Sequence, residues 1–587
     1  MKPRSLQDWV HWLKAGAGGR WVTRAAIIVG VLLLSWRIGY TQFQGPRSEQ
    51  TLAQAVVARQ LAEGHGFSTL VREPQSVAWA RERGRAEETF LPELRQAPLY
   101  PAIIAATLGI LPDTVREKWF STRPEPPAGF FPDYVLLGVN IALLWLAAAQ
   151  TYFLARRMFD RETGAIAALA LLLSSAIWSE TVAVNGVPLT MVLTLALFQV
   201  IHRIDGVDTG GKRGWLLAAL AGLLAGGLFL TDYPAGVALV AVWGWIGLSA
   251  RGRSRWVNIA AATLAFLIVA GPWMARNVSL AANPLGLAAQ GIALKAGDPT
   301  ADPAMVRAGF STEPPKIQLR KLGNKVLTAV QTSMGGQLWS AGGFFLTALF
   351  VTGLVYRFRD EQVNRLRWLF VFTLALLTLA HAALDSGEGE RLPMAYATPL
   401  LMIWGAGFFS VLIASSEVWR QRSRWAAAVL LTVQALPLAQ DIAEPRRLHF
   451  HFPPYYPGLF IGMGEEMARR AGPLPVWMAD VPAGVAWYSG QRVWTRPRTL
   501  GEFYGVCQEQ PQLALVLTPR TLDRPFFGEL MKRENPGMNT TEWADVYAAL
   551  VTHRFPPAFP LSAPQKVTDN FYVLLNPYAM SRRPLGE

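Results

Sequence analysis

Cysteine is almost absent from this sequence, which has one, Cys507, in 587 residues. A single thiol excludes an intrachain disulfide framework and any metal site built from several cysteines. Charged residues are also few, at 16% of the chain, whereas 51% of the residues are hydrophobic and 22 are tryptophan. Soluble domains carry a charged fraction nearer to about 25%. The composition therefore indicates a protein that lies in a lipid bilayer.

The polar segments also lack metal-binding motifs. No H-x-x-x-H or D-x-D cluster occurs in the segments assigned below to the outer face, so a hard cation would have to be coordinated by scattered carboxylates. We therefore predict no required cofactor and no metal site, with a divalent metal left open but unsupported.

Long apolar runs are what the sequence has in abundance. A hydrocarbon core about 30 Å thick needs roughly 20 mostly apolar residues per spanning helix, and about eleven runs approach that length. The predicted fold is a polytopic α-helical membrane protein with about eleven transmembrane helices. The runs are 22–43, 131–154, 163–184, 186–202, 215–232, 234–250, 256–275, 337–356, 368–384, 394–415 and 425–441.

Lysine and arginine are concentrated before the first run and after every second run. Cytoplasmic flanks retain an excess of these residues, so we predict that the N-terminus is cytoplasmic. The net charge of +14 is then largely a topology signal and does not indicate nucleic-acid binding. An odd number of spans leaves 41–130, 276–336 and 442–587 on the outer face.

The tail alternates short strand-like runs with helical patterns. We therefore predict two domains: a membrane domain over 1–441, whose outer loop 41–130 carries interfacial helices, and a small soluble α/β domain over 442–587. The strand-like runs are 476–478, 491–494, 513–517 and 571–575.

Six segments near the ends of the predicted spans form an ordered pattern. They combine glycine, proline, aromatic and charged residues, and they occur in outer loops or cytoplasmic turns. The segments are RIGY at 37–40, ARQLAEGHGFS at 58–68, QAPLYP at 96–101, ARRMFDRETG at 155–164, GPWMARN at 271–277 with NP at 283–284, and ERLP at 390–393.

In order and sidedness these segments resemble the GT-C membrane glycosyltransferases, in the family 39-like branch with protein O-mannosyltransferases and the aminoarabinose transferase of lipid A. The resemblance implies inverting transfer of a hexose or modified pentose from a polyprenyl-phosphate donor at the outer face of a bacterial inner membrane. The acceptor would be a lipid, a glycan or a protein, and the chain would also contact membrane lipids. Two alternatives stay open, namely a transporter or lipid-moving protein and a catalytically inactive scaffold.

The resemblance implies a catalytic carboxylate just after the first span, and Glu49 is the candidate. A carboxylate base there would activate the acceptor. Relatives usually place an Asp, often Asp-Glu, in this region, whereas this chain has one acid in Ser48-Glu49-Gln50-Thr51. The alternative is a glutamate that caps a helix at its N-terminus. The acids of the mixed-charge run 81–95 are competitors for the catalytic role.

Four residues are candidates for binding the substrate, chiefly its phosphate. Arg276 and Asn277 close the seventh span, Arg95 precedes QAPLYP, and Arg391 lies in a very short outer turn. Guanidinium groups bind phosphate strongly in a water-poor pocket. Arg276 could instead lie at the membrane interface beside Trp273, and Arg391 could pair with the acids of its own turn.

Asp232 is the fifth candidate substrate-binding residue. It ends the fifth span in Leu-Thr-Asp-Tyr-Pro, where relatives often carry a Thr-Arg-Pro-like turn, so the ligand contacts of the family do not transfer directly. At 184–188 this chain also lacks an acid that many relatives have, and Glu180 is the nearest one. We interpret His381, within a span, as a hydrogen-bonded helix residue and not as a ligand.

Overall fold

The computed structural model of the chain describes residues 17–85, 90–124, 129–205, 211–296, 303–314, 316–384, 394–444, 455–471, 476–522, 541–568 and 570–577. These segments are mainly helical. Helical spans are expected, because backbone polar groups in lipid must be satisfied within their own segment.

The first half of the described chain contains twelve α-helices. They are α1 (Ala17–Gln42), α2 (Glu49–Ala62), α3 (Pro74–Glu82), α4 (Leu99–Gly109), α5 (Asp113–Ser121), α6 (Phe131–Met158), α7 (Arg161–Leu172), α8 (Ser175–Val182), α9 (Val187–Asp205), α10 (Lys212–Thr231), α11 (Ala238–Ser249) and α12 (Gly252–Ala281).

The remaining described helices run to the C-terminal part of the chain. They are α13 (Pro303–Ala308), α14 (Leu319–Thr332), α15 (Leu338–Gly342), α16 (Phe344–Gly353), α17 (Glu361–Leu384), α18 (Thr398–Ala414), α19 (Glu417–Gln421), α20 (Ser423–Ala443), α21 (Pro457–Ala471), α22 (Pro482–Ser489), α23 (Leu500–Glu509), α24 (Pro519–Leu522) and α25 (Thr541–Thr552). Short 3-10 helices occupy Tyr233–Val237, Gly286–Ile292 and Ala395–Ala397, and a π-helical turn occupies Ser333–Gln337.

Eight helices in the described segments are long and apolar enough to cross a bilayer, so the chain is an integral membrane protein. The number rises to ten if two bent pairs, α7 with α8 (52°) and 319–342 with α16 (112°), each count as one span. This is fewer than the predicted eleven. The run predicted at 234–250 is a shorter apolar helix, Tyr233–Ser249, because it begins in 3-10 conformation directly after Asp232.

Small residues allow the spans to approach closely. A Cβ at Gly222 of α10 would lie 2.0 Å from the backbone oxygen of Ala262 in α12, so only glycine fits there. At the bend before α16, Gly343 has a φ of +72°. A Cβ at Gly343 would lie 2.1 Å from Oε1 of Gln434. Close backbone contact of this kind is typical of helix packing in membranes.

A six-stranded sheet lies beside the helices, in the order β2-β5-β4-β6-β8-β7. The β2–β5, β4–β5 and β4–β6 pairs are parallel, and β8 pairs antiparallel with β6 and β7. A separate two-stranded sheet pairs β1 with β3. The strands are β1 (Ser68–Thr69), β2 (Val71–Arg72), β3 (Leu91–Pro92), β4 (Val476–Ala479), β5 (Arg492–Thr495), β6 (Ala514–Leu517), β7 (Ala563–Thr568) and β8 (Phe571–Leu575).

The edge strand β2 comes from the loop 41–130 and not from the tail. Val71 pairs with Val493, and Arg72 pairs with Trp494. The segment 442–587, predicted as a separate domain, therefore shares its sheet with the loop that follows the first span.

Candidate functional site

A cleft opens where the loop 41–130 meets the ends of α10 and α17. Among the described residues that line it, Asp232 is the only carboxylate, and the cations are Arg95 and Arg307. Helix α2 contributes Gln50 and Gln54, which lie one turn apart on the same face. The other lining residues are Gln96, Ala97, Thr231, Tyr233, Pro234, Leu285, Leu287, Ala288, Gly291, Leu294 and Leu384.

Asp232 reaches the cleft because α10 ends at Thr231 and the chain then turns into a 3-10 helix. The backbone of Asp232 is extended, with φ −155° and ψ 115°. Its Oδ2 lies 2.6 Å from Nε2 of His381, which projects from α17. The His381 side chain is 6% exposed, whereas that of Asp232 is 24% exposed. A buried ring is thus joined to a carboxyl group that lines the cleft.

The second ring nitrogen of His381 shows where one proton lies. Nδ1 is 2.7 Å from the backbone oxygen of Leu377, and a carbonyl oxygen can only accept a hydrogen bond. Nδ1 therefore carries a proton, and Oη of Tyr396 lies 3.1 Å from the same nitrogen. Since Nε2 is 2.6 Å from a carboxyl oxygen, a further proton lies between the two groups.

The cation side of the cleft is fixed by Glu73. Arg95 donates from Nε to Glu73 Oε2 at 2.8 Å and from Nη2 to Gln75 Oε1 at 2.6 Å. Nη1 of Arg307 is 3.9 Å from Glu73 Oε1. Burial opposes ionisation of Glu73, but the two arginines and the hydrogen bonds outweigh it and lower the pKa of this carboxyl. Glu73 therefore holds Arg95 and Arg307 side by side at this edge of the cleft.

Arg276 lines a different cleft, together with residues of the loop 41–130. Its guanidinium lies 4.5 Å from the centre of the Trp273 ring. It donates to the backbone oxygen of Glu93 at 3.1 Å and to that of Phe67 at 3.2 Å. Arg276 therefore joins the end of α12 to the loop 41–130.

Asn277 is fully buried and links the two clefts. Its Oδ1 accepts from Nη1 of Arg276 at 3.2 Å. Its Nδ2 donates to the backbone oxygen of Pro284 at 3.1 Å and to Oη of Tyr233 at 3.4 Å. Tyr233 in turn lines the cleft that contains Asp232. In this structure Asn277 contacts protein groups of the cleft wall.

Glu49, the first residue of α2, contacts α22 and lines neither cleft. Its Oε2 accepts from the amide of Ala483 at 2.9 Å, and its Oε1 accepts from the amide of Gly484 at 3.3 Å. Amides in the first turn of a helix have no partner within the helix. Burial raises the pKa of Glu49 to about 7, against the opposing effects of Arg520 and these hydrogen bonds. Glu49 therefore caps α22.

Asp133, which the sequence did not single out, holds the other end of α22. It lies buried in the first turn of α6. Its Oδ1 accepts from Nε1 of Trp487 at 2.8 Å, and its Oδ2 accepts from Oη of Tyr488 at 3.1 Å. Gly45, with a φ of +97°, passes close by, and a Cβ there would lie 3.1 Å from Asp133 Oδ2. A residue of the second span thus anchors the C-terminal segment.

The structure brings two of the predicted site residues, Arg95 and Asp232, to one cleft. Glu49, Arg276 and Asn277 are placed elsewhere, as described above, and Arg391 lies outside the described residues. The functional roles assigned to all six residues stay predictions. Sequence reasoning missed that His381 pairs with Asp232, and the available signal was an acid and a histidine at the ends of two apolar runs.

In the described segments no group of three or more His, Cys, Asp or Glu residues could hold a metal ion. Cys507 is half-buried, and burial raises the pKa of its thiol to about 12. This thiol is protonated at neutral pH and is not a reactive thiolate.

Comparison with known proteins gives a likeness in fold. No family model matches the sequence and no curated protein matches it. ArnT from Cupriavidus metallidurans bound to undecaprenyl phosphate aligns with a TM-score of 0.52 at 12% identity, covering 97% of this chain and 100% of ArnT. The oligosaccharyltransferase of Archaeoglobus fulgidus with Zn and sulfate gives a TM-score of 0.50 at 10% identity, covering 85% of this chain and 69% of that chain.

The archaeal oligosaccharyltransferase tethered to an acceptor peptide also gives a TM-score of 0.50, at 12% identity, with 92% of this chain and 72% of that chain covered. The chain therefore shares its fold with ArnT and with this oligosaccharyltransferase. The predicted resemblance is confirmed at the level of fold.

Proposed function

We propose that this protein transfers a sugar from a polyprenyl-phosphate donor to an acceptor, and that the reaction takes place in the cleft lined by Asp232. The observation that best supports this proposal is the cleft itself. It holds two arginines and one carboxyl group in the same cleft, in a fold shared with a protein solved with undecaprenyl phosphate.

The chemistry of the cleft suits this reaction. The lipid tail of the donor would stay in the bilayer while its phosphate meets Arg95 and Arg307, which stabilise the charge that develops as the sugar leaves. Gln50, Gln54 and Gln96 offer amides that can bind sugar hydroxyls. Pre-positioned cations in a site with little water stabilise such charge more than they would in bulk solvent.

The finer assignments belong to the same proposal. The sugar would be a hexose or modified pentose, transferred with inversion, and the acceptor a lipid, glycan or protein. The N-terminus would lie in the cytoplasm of a bacterial cell, with the cleft and 442–587 on the outer face of the inner membrane. Glu49, Arg276, Asn277 and Arg391 keep their predicted roles as hypotheses.

The experiment compares the envelope of three strains by mass spectrometry of lipids, glycans and glycopeptides: a deletion strain, the strain complemented with the native chain, and one complemented with Ala288→Phe. Ala288 lines the cleft, so a phenyl ring should fill it and remove the product. Ala289→Phe, in the same 3-10 helix but absent from the described lining, is the matched control. Membrane abundance and melting temperature show whether both variants fold.

We expect one sugar-bearing component to disappear in the deletion strain and in Ala288→Phe, and to return with the native chain and Ala289→Phe. Identical envelopes in all strains would contradict the proposal and favour an inactive scaffold. A lipid that changes its membrane side without changing its mass would favour the lipid-moving alternative.

A further inference from the structure

The Asp232–His381 pair joins two ionisable side chains that lie 149 positions apart in the sequence. Asp232 ends one apolar helix and lines the cleft, and His381 lies close to the end of another. Buried polar groups cost free energy unless they are hydrogen-bonded. This pair is hydrogen-bonded, and the carboxyl group also borders the space where a ligand would bind.

The His381 ring is buried among hydrogen-bonding groups. His381 is 6% exposed, and its neighbours include Leu377, whose oxygen accepts from Nδ1, and Tyr396. A buried ion pair recovers its desolvation cost only with additional hydrogen bonds. Both ring nitrogens of His381 therefore have hydrogen-bonding partners, as a buried polar ring requires.

The other described acids near the cleft do not line it, and they contact arginines or backbone amides. Glu73 is tied to Arg95 and Arg307. Oε1 of Glu93 accepts from the backbone amides of Arg95 and Gln96 at 2.6 and 3.1 Å. Of the described acids around the cleft, Asp232 alone lines it and contacts a group that can take up a proton.

We propose that Asp232 and His381 form the proton acceptor of the transfer reaction, with Asp232 passing the proton of the acceptor to the buried ring. The proposal rests on the proposed function. Asp232 would be the catalytic residue that touches the acceptor, and His381 a positioning residue that takes the proton through Asp232.

The step balances as follows. An acceptor hydroxyl oxygen forms a bond to the anomeric carbon, and the bond from that carbon to the phosphate oxygen breaks with its electron pair left on the phosphate. The hydroxyl proton moves to Oδ1 of Asp232 while the proton on Oδ2 moves to Nε2 of His381. The products are a glycosylated acceptor, a polyprenyl phosphate, a carboxylic acid and an imidazolium. The new positive charge on the ring offsets the charge gained by the phosphate.

Imidazole suits the final step because each of its two ring nitrogens can carry a proton. Proton transfer by a positioned side chain is typically worth about 100-fold to 10,000-fold in rate. A glutamine at 381 can still hydrogen-bond to Asp232 but cannot take up a proton. It therefore separates proton transfer from a purely structural contact.

The experiment uses the full chain in the deletion strain. Asp232→Asn and His381→Gln should each lower the amount of product by about 100-fold or more, while Asp232→Glu should restore a measurable part. In nanodiscs, binding of the probe undecaprenyl phosphate should stay within about twofold of native for all three variants, since none removes a cation. His202→Gln, in α9, is the matched histidine control and should retain native product levels.

Native product levels in Asp232→Asn or His381→Gln would overturn the inference and leave the proposed function intact. Absence of any product with the native chain would refute the proposed function itself. Infrared spectroscopy gives an independent check that needs no substrate: the carboxylic-acid carbonyl region of the resting protein should lose one component in Asp232→Asn, and that component should shift in His381→Gln. A spectrum in which Asp232→Asn removes no such band would contradict the shared proton.

Discussion

Glu49 and Asp232 are carboxylates at helix ends, both carried by segments that border the same cleft, yet their partners differ in kind. Glu49 accepts hydrogen bonds from two backbone amides and from the buried hydroxyl of Tyr455, none of which takes up a proton. Asp232 contacts an imidazole ring, whose nitrogens can take up a proton. Position near a span therefore does not assign chemistry to an acid, because the partner decides whether a proton can move.

The same contrast separates two regions. The α22 anchor, defined here as Glu49, Asp133 and Arg59 around α22, consists of fixed contacts that dock the C-terminal segment. The cleft region, with Asp232 and His381, keeps exposed polar surface. We expect substitutions in the anchor to change stability, and substitutions in the cleft to change activity.

Asp133→Ala should have the largest effect on stability. It leaves the buried donors of Trp487 and Tyr488 without an acceptor, and each such loss costs about 1–3 kcal/mol. We expect a total of about 3 kcal/mol, measured by thermal unfolding in detergent, with faster proteolysis of the C-terminal segment. The control is Asp113→Ala, since the Asp113 side chain is 78% exposed and its ion pair with Arg116 contributes little. Equal losses from both variants would mean that Asp133 does not anchor α22.

Glu49→Gln should have the next largest effect, a loss of about 2 kcal/mol in the free energy of unfolding. The amide group replaces one of two accepting oxygens with a donor that faces a backbone N–H.

The stability of the native chain should also depend on pH. Since burial raises the pKa of Glu49 from its usual 4.5 to about 7, the folded state favours the protonated acid. The stability that the protonated Glu49 side chain adds to the folded state is fully present below about pH 4.5 and is lost as the pH rises through 7.

Unfolding measured from pH 4 to 8 tests this, and the slope assigned to Glu49 should be missing in Glu49→Gln. If the variant instead keeps native stability at every pH and loses all product, Glu49 is the catalytic base predicted from the sequence, and the contrast between the two carboxylates fails. Loss of stability in Glu49→Gln with retained product would support the contrast between the two carboxyl groups.

Local patterns in the sequence were sufficient to predict much of the membrane fold. Ten of the eleven predicted runs correspond to candidate spans or bent pairs, because apolar length and composition are properties of a contiguous segment. The eleventh, 234–250, differs because the turn at Asp232 and Pro234 starts that helix in 3-10 form. The alternative that Glu49 caps a helix was also available from the sequence, although which helix it caps was not.

Long-range partners could not be predicted in the same way. Asp133 and Trp487 lie 354 positions apart, and β2 pairs with a strand more than 400 residues away. Nothing in the local pattern around Phe131-Pro132-Asp133 specifies a partner in the tail. A two-residue strand such as Val71–Arg72 carries too little periodicity to be recognised, so its membership of the sheet follows from the structure alone.

Lys325→Met should have a moderate effect on the cleft wall. Nζ of Lys325 donates to the backbone oxygens of Gly291, Leu294 and Ala383 at 2.6, 2.9 and 3.1 Å, and Gly291 and Leu294 line the cleft. We expect a loss of about 1–2 kcal/mol in stability, with weaker binding of undecaprenyl phosphate. Arg320→Met, which changes an exposed residue of the same helix, is the control. Unchanged binding in Lys325→Met would show that α14 does not support the cleft.

Arg59→Gln should have the smallest effect, a loss of about 0.5–1 kcal/mol in the free energy of unfolding. Nη1 of Arg59 donates to the backbone oxygen of Trp487 at 3.3 Å, near the C-terminal end of α22, and Nε pairs with Glu63 at 2.8 Å. A cation near the negative end of a helix contributes little when it is partly exposed. Because Glu49 and Arg59 act at opposite ends of α22, their losses should add to within about 0.5 kcal/mol in the double variant. A coupling well above that value would mean that the two residues act as one unit, and the α22 anchor would then be a single cooperative contact that releases the C-terminal segment when either end is lost.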